Sequence, residues 1–225
     1  MRISEIFHSV QGEGQFAGTP TVFVRTTGCN LRCAWCDTPY TSWKPEGVQR
    51  TWQSVFEQVL EYDCRHLVLT GGEPMLQPDV VPFTRELAAH RKYITVETAG
   101  TVLRDVHADL MSVSPKLSNS TPVDAIWSQR HERLRENDAV AARLYEEYHC
   151  QLKFVIDSED DLAEVERYLS RFPAVSRDQI WLMPQAITQN EIETRLAWLA
   201  PIARERGLQS SPRLHIELFG NVRGK

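Results

Sequence analysis

Along this chain, short apolar runs alternate with longer stretches of helical spacing. Runs rich in β-branched and long apolar residues fall at Thr21–Arg25, His66–Thr70, Tyr93–Thr98, Leu110–Ser114, Gln151–Ile156, Gln179–Met183 and Arg213–Leu218. Turn-forming residues bound most of them, as expected of strands. Between them, Trp52–Tyr62 places Val55, Val59 and Leu60 on one face behind Thr51, a candidate N-cap. Further helices are expected at Asp79–His90, at His131–Tyr148, at Asp161–Leu169 behind Ser158, and at Glu191–Arg206, which stops at Gly207. Strand and helix in alternation predict an α/β fold with a parallel sheet and crossover helices. A closed eight-unit barrel typically takes about 250 residues, and this chain has 225. About 20 of them precede the first expected strand, and Leu117–Arg130 is a long polar connection. The expectation is an incomplete parallel β/α barrel of about six units, with residues 1–225 forming one domain. Residues 117–130 read as a flexible loop over the site.

Folds of this kind place their chemistry at the C-terminal ends of the strands. Those ends carry Cys29–Cys36, Gly71–Pro74, Glu97–Gly100, Ser114–Lys116 and Pro184–Gln185. The topology would gather these segments although they lie far apart in sequence.

Charge narrows the function classes. With 25 basic and 30 acidic residues the formal net charge is −5, which argues against a general nucleic-acid or membrane-surface binder. No apolar run is long enough to span a bilayer, and Met1–Val10 lacks the basic start and apolar stretch of a signal peptide. A cytoplasmic protein is expected.

The five cysteines change the picture most. Cys64 and Cys150 stand alone and read as structural thiols. Cys29, Cys33 and Cys36 share one loop, residues 28–38, with the spacing C-x3-C-x2-C. Three clustered thiols in a reducing compartment point to metal ligation rather than to disulfides. Three thiolates can hold a four-iron cluster and leave one iron free for a small chelating molecule. Trp35 could lay its indole against a flat heterocycle there. The competing reading is zinc, which in a structural site wants four ligands; His8, His66, Cys64 or Cys150 could supply the fourth, though none has a compelling spacing.

The cysteine loop, followed one βα unit later by Thr70-Gly71-Gly72-Glu73-Pro74, resembles the radical S-adenosylmethionine (SAM) superfamily. The resemblance implies a 4Fe–4S cluster on Cys29, Cys33 and Cys36, with SAM as cofactor. In that reading the two glycines admit a ligand close to the backbone, and Glu73 accepts from the SAM ammonium.

A narrower resemblance rests on Glu5-Ile6-Phe7-His8-Ser9-Val10-Gln11-Gly12-Glu13-Gly14, Phe23-Val24-Arg25, Asp37-Thr38-Pro39-Tyr40, Val96-Glu97-Thr98-Ala99-Gly100-Thr101, Ser114-Pro115-Lys116 and Gln151-Leu152-Lys153-Phe154-Val155. Together these resemble the 7-carboxy-7-deazaguanine synthases of queuosine and deazapurine biosynthesis. The family converts 6-carboxy-5,6,7,8-tetrahydropterin to 7-carboxy-7-deazaguanine with loss of ammonia, assisted by magnesium. It implies a homodimer and an electron donor such as flavodoxin or ferredoxin, with neither nucleic acid nor membrane as partner.

Carried over by residue, Val10, Gln11, Gly12 and Glu13, in the N-terminal segment 1–20, would contact the pterin. Glu13 would accept from its guanidine-like edge; the alternative is a Gly-rich turn. Arg25 would pair with the substrate carboxylate, or else form a salt bridge at a strand end. Thr38 would place its hydroxyl on magnesium, or else cap a turn. Trp35, Asp37, Gly72, Glu73, Ser114, Pro115, Lys116 and Gln185 would hold SAM, while Thr70 and His215 would reach the substrate. A lone histidine in a strand is more often structural. Glu97 is the catalytic candidate, for steering the radical or handling a proton; a solvated strand-end glutamate is the competing view.

Two features depart from the family. Ala99 stands where relatives often carry Asn or Ser. The tail Gly220–Lys225 is polar where some members close the pocket with an apolar C-terminus. The charge-rich stretch His131–Tyr148 reads as a solvated helix with an apolar stripe at Leu134, Val140 and Leu144, or as a docking surface for an electron donor. Two rival functions remain at this stage: a radical SAM activase of a glycyl-radical enzyme, and a zinc- or cluster-stabilised regulatory module.

Overall fold

A computed structural model describes residues 1–225. In chain order the strands are β1 (Arg2–Val10), β2 (Pro20–Thr26), β3 (Val48–Gln49), β4 (His66–Gly71), β5 (Tyr93–Thr98), β6 (Leu110–Val113), β7 (Cys150–Ile156), β8 (Ile180–Pro184) and β9 (Gln209–Ser210). The helices are α1 (Pro39–Ser42), α2 (Trp52–Leu60), α3 (Val80–Ala89), α4 (Ala125–Arg135), α5 (Asp138–Glu147), α6 (Asp161–Ser170), α7 (Gln189–Glu205) and α8 (Leu214–Phe219). One sheet runs in the order β3-β1-β2-β4-β5-β6-β7-β8-β9, open at β3 and β9. From β2 through β9 every neighbouring pair is parallel, and β1 adds antiparallel to β2 and to β3. The six longer parallel strands are the six expected units of an incomplete barrel.

Period-2 alternation divides the two faces of this sheet. Val22, Val24, Leu67, Leu69, Ile94, Val96, Leu152 and Phe154 point into a buried core with Val55, Val59, Phe83, Leu87, Val165 and Leu199 from the covering helices. Each such side chain contributes about 1.5–3 kcal/mol by leaving water. The residues between them, Phe23 and Arg25, Thr70, Glu97, Ser112 and Ser114, and Lys153 and Val155, line a cavity on the other face. The polar members of that second set make this face a site rather than a second core.

Several expectations need correction. Arg213–Leu218 is not a strand: Leu214–Phe219 is helix α8. Arg213, Leu214, His215, Ile216, Glu217 and Leu218 alternate polar and apolar, which mimics a strand over a segment this short. The first strand is not at Thr21: the N-terminal segment 1–20 already contains the nine-residue β1. His131–Tyr148 is two helices. Asn137 caps the second by accepting from Val140 N at 3.3 Å, and α4 starts earlier, behind Asp124, which accepts from Trp127 N at 2.9 Å. Ser158 does not cap α6; Asp160 stands at that position. Thr51 does cap α2, accepting from Ser54 N.

Candidate active site

The cysteine loop follows β2 and is held from several directions. Gly28 N donates to Thr41 O at 2.8 Å and Glu73 N donates to Gly28 O at 2.9 Å. Trp43 Nε1 donates to Cys33 O at 3.0 Å, and Asn30 reaches Thr101 Oγ1 at 3.0 Å. Residues 117–130 are not a loop throughout. Ser118–Ser120 forms a 3-10 turn and α4 begins at Ala125. That turn accepts from Ala34 N through Ser120 O (2.8 Å) and from Trp35 Nε1 through Asn119 O (3.1 Å), so it braces the cysteine loop.

His131, on α4, completes the brace. Its Nδ1 accepts from Arg32 N at 3.2 Å and its Nε2 lies 2.9 Å from Ser120 Oγ, which itself donates to Leu117 O. The hydrogen bonds therefore require the neutral Nε2–H tautomer. Burial pushes His131 down from 6.5 to about 4. The unfolded chain then binds the extra proton between these values, so stability rises with pH across that window and levels off above 6.5. The expected loss on acidifying from pH 6.5 to 4 is about 3 kcal/mol. Thermal unfolding against pH checks this, since His131→Asn should flatten that part of the profile.

Cys29, Cys33 and Cys36 all line one cavity of about 480 Å³, a size suited to a small molecule. Burial pushes the Cys29 thiol up to about 11 and Cys33 up to about 12, and it raises Cys36 as well. Such thiols ionise when a cationic group compensates the burial, which fits a donor set for iron. The zinc reading lacks its fourth ligand. Cys64 Sγ donates to Pro20 O (3.3 Å), Cys150 Sγ donates to Leu144 O (3.3 Å), His8 stacks on Tyr62, and His66 lies tilted against Tyr93. None of the four lines the cavity.

Most of the sequence-predicted residues meet there: Val10, Gln11, Gly12, Glu13, Arg25, Trp35, Asp37, Thr38, Thr70, Gly72, Glu97, Ser114, Lys116 and His215. Three do not. Pro115 is buried, Gln185 is tied by its N–H to Ile156 O (2.8 Å), and Glu73 is fully buried. Glu73 accepts from Thr98 Oγ1 (2.9 Å), Ala99 N (2.8 Å) and Met75 N (3.1 Å). Its carboxylate is spent on fastening its turn to the end of β5, rather than on the cavity. Burial raises its carboxyl, and the hydrogen bonds oppose that rise.

Arg25 forms the strand-end salt bridge and also lies at the cavity. Its Nε donates to Glu5 Oε1 at 2.6 Å. Tyr40 Oη donates to the same Glu5 oxygen at 3.0 Å. Thr38 caps no helix through its side chain and accepts from Thr41 Oγ1 at 3.3 Å. Gly12 packs under His215 so closely that a Cβ there would stand 2.0 Å from its Nδ1.

Two features lay outside the expectations from sequence, and a third concerns the polar tail. Lys153 lines the cavity between Glu13 (2.8 Å) and Glu97 (3.2 Å). Buried Arg213 donates to Ala186 O and to Asp37, with its Nε 3.3 Å from Glu13 Oε1, an ion-pair distance without hydrogen-bond alignment. The polar tail also lines the cavity, with Arg223 on Glu46 (2.9 Å) and over the Tyr40 ring. An alternating inward lysine on β7 was the available signal for the first. Nothing in the sequence marked Arg213, and the tail stood out only for being polar where some relatives are apolar.

This constellation, three thiols on a loop after the first parallel strand with a Gly-Gly turn beside it, defines a radical SAM protein. Residues 23–141 match the family model described as the radical SAM superfamily. The chain is 41% identical to the 7-carboxy-7-deazaguanine synthase of Halobacterium salinarum over 98% of its own length and 91% of that protein, and 41% identical to that of Rhodopirellula baltica over 99% and 88%. It belongs to the 7-carboxy-7-deazaguanine synthase family. Its fold matches that of QueE from Escherichia coli with a TM-score of 0.70 at 24% identity, covering 95% of this chain and 94% of that one. The 4Fe–4S cluster and SAM follow from the family, and the activase alternative is not favoured. No helix is long and apolar enough to cross a membrane.

Proposed function

We propose that this chain is a carbon–nitrogen lyase converting 6-carboxy-5,6,7,8-tetrahydropterin to 7-carboxy-7-deazaguanine with loss of ammonia, in the pathway to queuosine and other 7-deazapurines. The observation that supports this reading is one cavity lined by all three thiols together with Arg25, Glu13 and Glu97. Cys29, Cys33 and Cys36 hold the cluster. When bound, the cluster and SAM supply the radical that takes hydrogen from the substrate. The chain's own residues bind, orient and shield. Arg25 pairs with the substrate carboxylate, which a planar guanidinium matches in geometry. Gln11, Gly12 and Glu13 face the pterin ring. Burial would raise the Glu13 carboxyl, but Lys153, Arg213 and His215 outweigh it and hold it well below the usual range. Glu13 is thus a permanent acceptor for ring N–H groups.

Glu97 accepts from Thr70 Oγ1 at 2.8 Å and from Gln11 Nε2 at 3.4 Å. In this reading it handles a proton at the substrate ring. Trp35, Asp37, Gly72, Ser114 and Lys116 hold SAM, with Lys116 Nζ anchored on Ser114 Oγ at 2.7 Å. Thr38 offers its hydroxyl to magnesium. Residues 1–225 act as one domain in a cytoplasmic homodimer reduced by a flavodoxin or ferredoxin, with neither nucleic acid nor membrane as partner.

The test is anaerobic turnover of reconstituted protein with dithionite, SAM, magnesium and 6-carboxytetrahydropterin, read by mass spectrometry. Release of 7-carboxy-7-deazaguanine is expected; 5′-deoxyadenosine without it would leave the radical chemistry and remove the substrate. Arg25→Ala should raise KM for the pterin by about 10–100-fold, the worth of a charge-assisted hydrogen bond. SAM affinity should change by less than about threefold in the same variant. Equal losses for both ligands would remove Arg25 from the substrate side.

A further inference from the structure

Strand β7 presents Gln151, Lys153 and Val155 on the face opposite Leu152, Phe154 and Ile156. Gln151 accepts from Gln15 N at 3.0 Å and donates to Ser112 Oγ at 2.9 Å. Lys153 lies two residues on. Its side chain is 4% exposed, and its ammonium donates to Glu13 at 2.8 Å and to Glu97 at 3.2 Å. One strand thus grips the N-terminal segment and β5 together. Burying a lysine costs several kcal/mol unless it is paired, and this one is paired twice.

We propose that Lys153 is the positioning residue that sets the selectivity of the cavity, by holding Glu13 and Glu97 side by side as fixed acceptors for the donor edge of a heterocycle. The inference rests on the pterin reading and deepens it. Two carboxylates this near a common point repel and share a proton unless a cation stands between them. A shared proton turns one acceptor into a donor, which mismatches an amine-bearing ring edge but suits a carbonyl-bearing one. Lys153 prevents that exchange. The charged groups facing Glu13 are Lys153 from β7, Arg213 beside α8, His215 within α8, Asp37 from the cysteine loop, and Glu97 across Lys153 from β5. Arg213 is shared with Asp37, so it cannot replace the lost ammonium.

The experiment uses protein loaded with cluster and SAM and two fluorescent oxidised probes, pterin-6-carboxylate and lumazine-6-carboxylate. In the second, a carbonyl replaces the exocyclic amine. Wild type should prefer the pterin by about tenfold or more, with little pH dependence between about pH 5 and 7. Lys153→Met should lose most of that preference, and its pterin affinity should rise with pH across the same range. Lys153→Arg, which keeps the cation, should restore the preference in part. If Lys153→Met fails to fold, Lys153→Gln serves the same comparison. A merely structural lysine would lower affinity for both probes equally and leave the pH dependence flat, which overturns the proposal. A wild type without preference overturns both the proposal and the donor-edge substrate, whereas preference kept in Lys153→Met overturns the role of Lys153 alone.

Discussion

Cys33→Ala should yield a colourless protein that cleaves no SAM. The substitution deletes only a buried sulfur at 8% exposure. The carbonyl of residue 33 would still accept from Trp43 Nε1, and the loop would keep its braces from Gly28, Ala34 and His131. The backbone therefore has no reason to unfold, and the loss falls on the cluster. Two thiolates cannot secure a cube that needs three, so SAM loses the iron it would chelate. The contrast is Cys150→Ala. That thiol sits in the core and donates to Leu144 O. Its loss should cost about 1–2 kcal/mol of stability and leave the colour intact. Visible absorbance after reconstitution and 5′-deoxyadenosine release separate the two variants. Full SAM cleavage by Cys33→Ala would remove that cysteine from the ligand set.

Much of this was legible because two local rules coincide with the fold. Tyr93–Thr98 is a β-rich run bounded by turn residues, and the observed strand has the same ends. The C-terminal strand ends that the alternation marks carry the cysteine loop, Glu97 and Lys116, and the cavity gathers all three. What stayed hidden was set by tertiary partners. β1 is polar and irregular, with a shift in register between Ile3 and Glu5, and it is a strand because β2 and β3 pair with it on both sides. α8 alternates like a strand, yet Leu214 N donates to Gly12 O, and that contact lies about 200 residues away in sequence. Lys153 stands in plain view within Gln151-Leu152-Lys153-Phe154-Val155. Its role required knowing that β5, β7 and the segment after β1 meet at one point, which no local pattern encodes. Arg213 is the same case, since its partners come from the cysteine loop and from the segment following β1.

The Gly-Gly turn shows how a motif can be recognised for one reason and required for another. From sequence, its glycines admit a ligand. In the structure Gly72 admits the chain's own backbone. A Cβ there would stand 2.3 Å from Gly28 O and 2.8 Å from Thr41 O, both immobile backbone atoms. The Glu73 N to Gly28 O bond, at 2.9 Å, joins the turn to the residue before Cys29. Gly72→Ala must therefore push the turn and the cysteine loop apart and break that bond. Overpacking of this kind costs about 1–3 kcal/mol, and the lost hydrogen bond adds about 1 kcal/mol. The strain is placed between the two halves of the cofactor site, so its effect on function should exceed its effect on stability. SAM affinity is expected to fall by about 100-fold, corresponding to about 3 kcal/mol, while the apoprotein still unfolds in one cooperative transition. Calorimetric titration of SAM into reconstituted Gly72→Ala, beside its thermal unfolding, tests this. Wild-type SAM affinity in the variant would show that the two loops can separate freely, and that neither the backbone approach nor the ligand needs a glycine there.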